Sequence, residues 1–114
     1  MSLAVVYTRA NQGVESPLVT VETHLSNGLP ALSMVGLPET AVKESRERVR
    51  SAILHAGLDF PAGRITINLA PAGVPKSGGR YDLAIALSIL AASGQIPADR
   101  LVATEILGEL ALAG

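Results

Sequence analysis

The sequence has no cysteine and no tryptophan, and its only aromatic side chains are Tyr7, Phe60 and Tyr81. Without cysteine the chain cannot form a disulfide framework or a thiolate metal site, and this fits a reducing compartment, so we expect a cytoplasmic location. Three aromatic residues are too few for the stacking platforms with which single-strand-binding domains commonly hold successive bases. The composition therefore argues against a domain of the RNA-recognition type.

An excess of charge of one sign is also lacking. Nine Lys and Arg oppose ten Asp and Glu, so the formal net charge is -1 and no global basic field attracts nucleic acid. The two histidines, His24 and His55, are not spaced as in a zinc-hydrolase motif, and we expect no metal site. The longest uncharged apolar stretch, residues 83–93, is too short to cross a bilayer. We therefore expect neither a signal segment nor a membrane partner.

What is present is typical of one globular domain over residues 1–114, because 48% of the residues are apolar and 17% are charged. Apolar and alternating runs predict strands at residues 3–7, 18–25, 32–35, 64–70 and 102–112, and helical periodicity predicts helices at residues 39–56 and 83–92. Ser26, Asn27 and Gly28 favour a turn, which predicts that the second and third strands pair as a hairpin. The order of elements predicts an α/β or α+β domain with two main helices on a mixed sheet.

The helix predicted at residues 39–56 has an apolar stripe and a charged face. The stripe comprises Val42, Ser45, Val49, Ala52, Ile53 and Ala56, with Arg46 at its edge. Gly57 is expected to end the helix. The charged face, which is typical of a solvated surface with ion pairs at i,i+4 spacing, comprises Lys43, Glu44, Glu47, Arg48, Arg50 and His55. Arg46 and Arg50 are nevertheless our candidates for phosphate contacts on this helix.

Residues 71–80 are rich in glycine and proline and connect a strand to a helix, a location where backbone N–H groups attract anions. The residues expected to shape this loop and its end are Gly73, Pro75, Ser77, Gly78, Gly79 and Asp82. Pro75 stands before Lys76 where a Walker loop requires glycine, which argues against a nucleotide P-loop. Two interpretations stay open: a rigid connection with Lys76 and Arg80 in water, or a loop whose Lys76 and Arg80 contact phosphate. Asp82 is expected to favour the start of the next helix.

The chain carries the segments SNGLP at residues 26–30, VGLPETAVKESRERVR at 35–50, NLAPA at 68–72 and DLAIAL at 82–87. Together these segments closely resemble the N-terminal domain of magnesium-chelatase-like AAA+ ATPases of the ComM/YifB family. The resemblance covers nearly the whole chain. Residues 36–50 are its most specific part.

In that family the domain is similar to the proteolytic domain of Lon, with the fold of the second domain of ribosomal protein S5. The resemblance therefore implies a left-handed strand–helix–strand connection in place of the usual right-handed one. It also places Arg80 where Lon-type proteases have their nucleophilic serine and Asp82 where they have a following glycine. Arginine cannot serve as that nucleophile, and the family's catalytic lysine would follow Gly114, so the resemblance implies that this segment has no catalytic residues.

The resemblance further implies that the chain continues after Gly114 into an ATPase module. That module, the domain's first partner, would bind ATP and Mg²⁺ and assemble into a homo-hexamer, whereas this segment would need no cofactor. Our first hypothesis is a non-catalytic accessory domain that assists DNA engagement in branch migration during natural transformation, or assists ring assembly. Its candidate phosphate contacts are Arg46, Arg50, Lys76 and Arg80. The alternatives are a purely structural oligomerisation cap and, disfavoured by Arg80, a degenerate Lon-type peptidase.

Overall fold

The computed structural model of the chain describes residues 2–9, 18–70 and 81–97 and places four strands and two helices in them. In chain order they are β1 (Ser2–Arg9), β2 (Leu18–Ser26), β3 (Ala31–Val35), α1 (Glu39–His55), β4 (Arg64–Ala70) and α2 (Asp82–Ala92). The strands form one sheet in the order β1-β2-β4-β3, in which β2 is antiparallel to β1 and β4, and β3 is parallel to β4. A mixed sheet with two main helices is therefore confirmed.

Alternation along the strands separates a core face from an outer face, as the sequence predicts. Val19 and Val21 of β2 are fully buried, and Thr20 between them is half-buried. On β4, no more than 1% of the surface of Ile65, Ile67 or Leu69 is exposed. The helices lie over this apolar face, and α2 packs on β1 and β2. The core is thus one layer between the sheet and the helices.

The predicted hairpin between β2 and β3 is wrong, because β4 lies between them. Arg64 at the start of β4 pairs with Ser26, the last residue of β2, and with Ala31, the first residue of β3. Residues 27–30 therefore cross the end of β4, and a chain of four residues is long enough to span the two inter-strand spacings of about 5 Å each. Gly63 permits this crossing, since a Cβ atom there would lie 2.8 Å from the Ser26 carbonyl oxygen.

β4, which occupies the central position, is more buried than its neighbour β3. Three of the seven β4 residues are buried, whereas every residue of β3 keeps some exposure. A strand with a fully apolar core face gains most from having a partner on both sides, and a partly exposed strand fits an edge. The sequence pattern gives the faces of both strands but not their order in the sheet.

α1 confirms the predicted helix and most of its stripe. Its buried residues are Val42, Ser45, Val49, Ala52 and Ile53. Ala56 is exposed, contrary to the prediction, because the helix ends at His55 and Ala56 is its C-terminal cap. Gly57 follows with φ +79°, the left-handed conformation that commonly ends a helix.

α2 is nearly as buried as its uncharged sequence predicts. Eight of its eleven residues are buried, and the half-buried positions are Leu83, Leu87 and Ala91. These three recur every four residues, so they form one stripe on the helix. Leu83 and Leu87 line an apolar groove of about 180 Å³ between the two helices. Gly94, at φ +78°, follows the end of α2 as predicted. The predicted turn at residues 97–100 and strand at residues 102–112 lie almost wholly outside the described residues.

Candidate functional site

Arg46 and Arg50 are brought together on the wall of a surface hollow. They are four residues apart on α1, so their side chains leave the same side of the helix. The hollow has a volume of about 380 Å³. We call it the arginine hollow; its lining residues are Pro30, Ala31, Leu32, Arg46, Arg50, Phe60, Pro61, Ala62, Gly63 and Ile65.

Three segments that are distant in sequence meet at the arginine hollow. The parallel pairing of β3 with β4 aligns the first residues of the two strands, Ala31 with Arg64. The segment before β3 and the segment before β4 therefore reach the same edge of the sheet, and the backbone N–H of Ala31 donates to the Gly63 carbonyl at 3.1 Å. α1 adds its arginines from the helical layer. The hollow is thus a consequence of the strand–helix–strand unit β3-α1-β4.

Arg46 has hydrogen-bonding capacity that the described residues do not satisfy. Its side chain lies at the edge of the buried stripe, and its Nη2 atom is 3.5 Å from the Leu32 carbonyl oxygen, a long contact. Its Nε atom is buried and has no hydrogen-bond partner among the described residues. A buried donor without an acceptor costs about 1–3 kcal/mol, and more when it is charged. An acceptor that reached the Nε atom would remove that cost.

Arg50 adds a second positive charge at the same wall. It is exposed, and it makes no ion pair with any described residue. None of the ten lining residues that the structure describes is Asp or Glu, so none of them opposes the two guanidinium groups with a carboxylate. Guanidinium groups bind phosphate and carboxylate oxygens in a bidentate manner. The arrangement is therefore suited to an anion.

The sequence pattern predicts that Arg48 lies on the solvated face of α1, and this prediction is wrong. Its Nε atom donates to Oδ2 of Asp82, and its Nη2 atom donates to Oδ1 at 3.3 Å. Asp82 is 1% exposed and also accepts a hydrogen bond of 2.9 Å from the Ser45 hydroxyl. The ion pair with Glu44, predicted from spacing, is present at 3.7 Å. Arg48 is thus committed to joining the two helices.

Seven of the other predicted site residues lie outside the described residues. These are Gly73, Pro75, Lys76, Ser77, Gly78, Gly79 and Arg80. Asp82 is described, and as expected it is the first residue of α2. Of the four candidate phosphate contacts, the structure therefore brings Arg46 and Arg50 together and describes neither of the others.

The histidines do not contribute to the arginine hollow. His24 lies on the outer face of β2, where its Nε2 atom is 2.7 Å from Glu22 Oε1. His55 is exposed at the end of α1, where its Nδ1 atom is 2.9 Å from the Ser51 carbonyl oxygen. Within residues 2–9, 18–70 and 81–97, no three His, Cys, Asp or Glu side chains are placed to hold a metal ion. No helix in these ranges is long and apolar enough to cross a membrane.

Two features of the site were not predicted from the sequence. The first is the contribution of residues 60–63 and of Pro30, which depends on the strand order. The second is the Ser45–Arg48–Asp82 network, which one feature of the sequence could have indicated. Asp82 is the only charged residue at the start of a helix that is otherwise apolar, and a carboxylate buried there requires a charged partner.

Residues 21–114 match the family model described as subunit ChlI of Mg-chelatase. Over its whole length the chain is 65% identical to protein YifB of Salmonella typhimurium and 60% identical to competence protein ComM of Haemophilus influenzae. It is 41% identical, again over its whole length, to a protein of Mycobacterium tuberculosis. The chain spans 22% of the first two relatives, at their N-terminal ends, and 23% of the third.

Proposed function

Because this chain belongs to the family of subunit ChlI of Mg-chelatase, we propose that it is a non-catalytic accessory domain of a longer Mg-chelatase-like AAA+ ATPase. Its contribution is to hold nucleic-acid phosphate with Arg46 and Arg50 while the remainder of the protein uses ATP and Mg²⁺. The observation that carries this proposal is the arginine hollow, whose ten described lining residues include two arginines and no Asp or Glu. The protein as a whole would act as a cytoplasmic homo-hexamer.

The kind of work is suggested by a relative. One protein that is 60% identical to this chain is named competence protein ComM. We propose that the full-length protein acts on DNA by branch migration. With a net charge of -1 the domain supplies no general attraction for DNA, so its contribution comes from a few placed cations.

A lack of catalysis in this segment has support from its residues. Nucleophilic catalysis needs a nucleophile, a base within hydrogen-bond distance and a group that orients the base. In the described ranges, the buried hydroxyls of Thr23 and Ser88 bond each other, and the Ser45 hydroxyl bonds the carboxylate of Asp82. Arg80 occupies the position of the Lon-type serine in the resemblance. A degenerate peptidase is therefore disfavoured.

The fold is proposed to be that of the Lon proteolytic domain and of the second domain of ribosomal protein S5. Support comes from the parallel unit β3-α1-β4, which is the unit in which a left-handed connection would occur. The assignment requires this connection to be left-handed, and a right-handed β3-α1-β4 connection would contradict it.

The test of phosphate binding compares single neutralising substitutions in the full-length protein. Arg50→Gln should weaken DNA binding and reduce the slope of log affinity against log salt by about 1, the value for one phosphate contact. Lys43→Gln is the matched control, because Lys43 is an exposed cation of the same helix that does not line the arginine hollow. Fluorescence anisotropy at several salt concentrations measures both. Equal slopes for the two variants would rule out the proposed contact.

A second candidate function, ring assembly, has its own observation in the groove between the helices. The described residues that line the groove are all apolar and include Ala56, Leu83 and Leu87, and we propose that a second copy of the protein packs there. Ala56→Arg should lower the molar mass of the full-length protein in light scattering, since it places a charge in the groove. His55→Arg is the control at the same helix end. An unchanged molar mass for Ala56→Arg would exclude this groove as the contact.

A further inference from the structure

We propose that the arginine hollow is a site for one unpaired nucleotide, with the phosphate on Arg46 and Arg50 and the base against Phe60 and its neighbours. This inference rests on the proposed phosphate binding and specifies the ligand. A site that contacts the phosphate backbone of a duplex needs only exposed cations on the protein surface. The arginine hollow is instead concave, and its volume of about 380 Å³ lies in the range of small-molecule sites.

The walls of the hollow divide into two chemical types. Arg46 and Arg50 form the cationic wall from α1. The other described lining residues carry no charge, and the largest apolar side chains among them are Leu32, Phe60 and Ile65. A ligand that satisfies both types has an anionic group and a flat apolar group joined at short range. A nucleotide has this construction.

Phe60 is suited to contact a base. Its side chain is half-buried and packs against the core on one side, so its orientation is fixed by the fold, while it also lines the hollow. The ring of phenylalanine stacks on every base, because all bases have a π face. The low aromatic content that argues against an extended stacking platform does not argue against a site for one base, since one ring is sufficient.

Arg46 makes the phosphate position specific. Its buried Nε atom has no partner among the described residues, and its Nη2 atom has only a long contact with Leu32. A phosphate oxygen in the hollow would accept from Arg46, and the exposed Arg50 at the same wall would contact the same group or its neighbour. A base inside a duplex keeps its faces covered by stacking, so only an unpaired or extruded nucleotide can present both groups.

The experiment uses the full-length protein and oligo(dT) in which one central base is 2-aminopurine. Stacking of 2-aminopurine on Phe60 should change its fluorescence, and Phe60→Leu should abolish that change because leucine keeps the apolar volume without the ring. Affinity for the single strand should fall about tenfold in Phe60→Leu, whereas affinity for a duplex of equal length should stay the same. Phe60→Tyr, which keeps an aromatic ring, should retain both the fluorescence change and the affinity of the wild-type protein. Thermal unfolding of each variant confirms that it is folded.

The outcomes separate this inference from the proposed function. If Phe60→Leu changes neither the signal nor the affinity while Arg50→Gln still weakens binding, the nucleotide site is wrong and the phosphate contact stands. If neither variant weakens binding, both are wrong. If Phe60→Leu does weaken binding, thymidine monophosphate is added to the wild-type protein as a competitor. Displacement of the probe at millimolar concentration would identify the ligand as a free nucleotide, and no displacement would identify it as a nucleotide within a strand.

Discussion

The guanidinium group of Arg48 on α1 binds the carboxylate of Asp82, the first residue of α2, where that carboxylate is 1% exposed. Both carboxylate oxygens accept hydrogen bonds, since Oδ1 also accepts from Ser45. Asp82 follows residues 71–80 in the sequence, and its pairing with Arg48 fixes the start of α2 against α1. A buried carboxylate with a complete set of donors contributes to stability mainly through what happens when a donor is removed.

Arg48→Met should lower the free energy of unfolding by about 3 kcal/mol, because it leaves the Asp82 carboxylate buried without its cation. Urea denaturation of the domain measures this. Glu44→Gln is the control, since Glu44 is 71% exposed and its pairing with Arg48 should contribute less than about 1 kcal/mol. Adding Asp82→Leu to Arg48→Met should recover part of the loss. A double variant as unstable as the sum of its single variants would contradict this account.

The hydroxyls of Thr23 and Ser88 should respond unequally to removal. Ser88 donates to the Ile85 carbonyl at 2.8 Å, so its oxygen accepts from Thr23 at 2.6 Å. Thr23→Val leaves the bond to Ile85 intact and should cost about 1 kcal/mol. Ser88→Ala leaves the Thr23 hydroxyl buried and unpaired and should cost about 2 kcal/mol. Chemical denaturation distinguishes the two, and equal costs would indicate that Thr23 finds another partner.

Gly36 should be the glycine least tolerant of a side chain among those the structure describes. At φ +103°, a Cβ atom would meet the Leu69 carbonyl oxygen, which belongs to the backbone of β4. Gly36→Ala should therefore cost more than about 3 kcal/mol, since strain and a backbone clash add. Gly57→Ala is the control, because Gly57 has open space around it and should cost about 1 kcal/mol. Thermal unfolding of both variants is sufficient, and a smaller cost at Gly36 would contradict the close approach.

Two neighbouring residues of α1 should differ sharply in their contribution to the core. Ile53 is 2% exposed and belongs to the core cluster, whereas Leu54 is 45% exposed. Ile53→Ala should lower the free energy of unfolding by about 3 kcal/mol, and Leu54→Ala by less than about 0.5 kcal/mol. Equal effects of the two substitutions in urea would indicate that the helix is rotated about its axis.

Local sequence patterns predicted the elements and their buried faces. Period-two alternation identified β2 and β4, and the 3.6-residue stripe identified α1, because these patterns record which side of an element meets the core. The strand order was not predictable in the same way. Ser26, Asn27 and Gly28 favour a turn whichever strand lies beside β2, and the central position of β4 depends on pairing with a strand on each side.

The candidate site was predictable only in its contribution from α1. The four-residue spacing of Arg46 and Arg50 places them on one side of any helix, so the pair was identifiable from sequence alone. Phe60 joins them only because the parallel pairing of β3 and β4 brings two loops to one edge. Arg48 has the same spacing signal as its neighbours. Its burial follows from the position of Asp82, which lies 34 residues away.

The central place of β4 also determines when the sheet can form during synthesis on the ribosome. β1 and β2 can pair early, but β3 cannot pair with β4, its one neighbour among the described strands, until residues 64–70 have left the exit tunnel. For that interval one edge of β2 and both edges of β3 are open to other strands. Chains that stall within α1 should therefore associate with holdase chaperones more than chains that stall after residue 70.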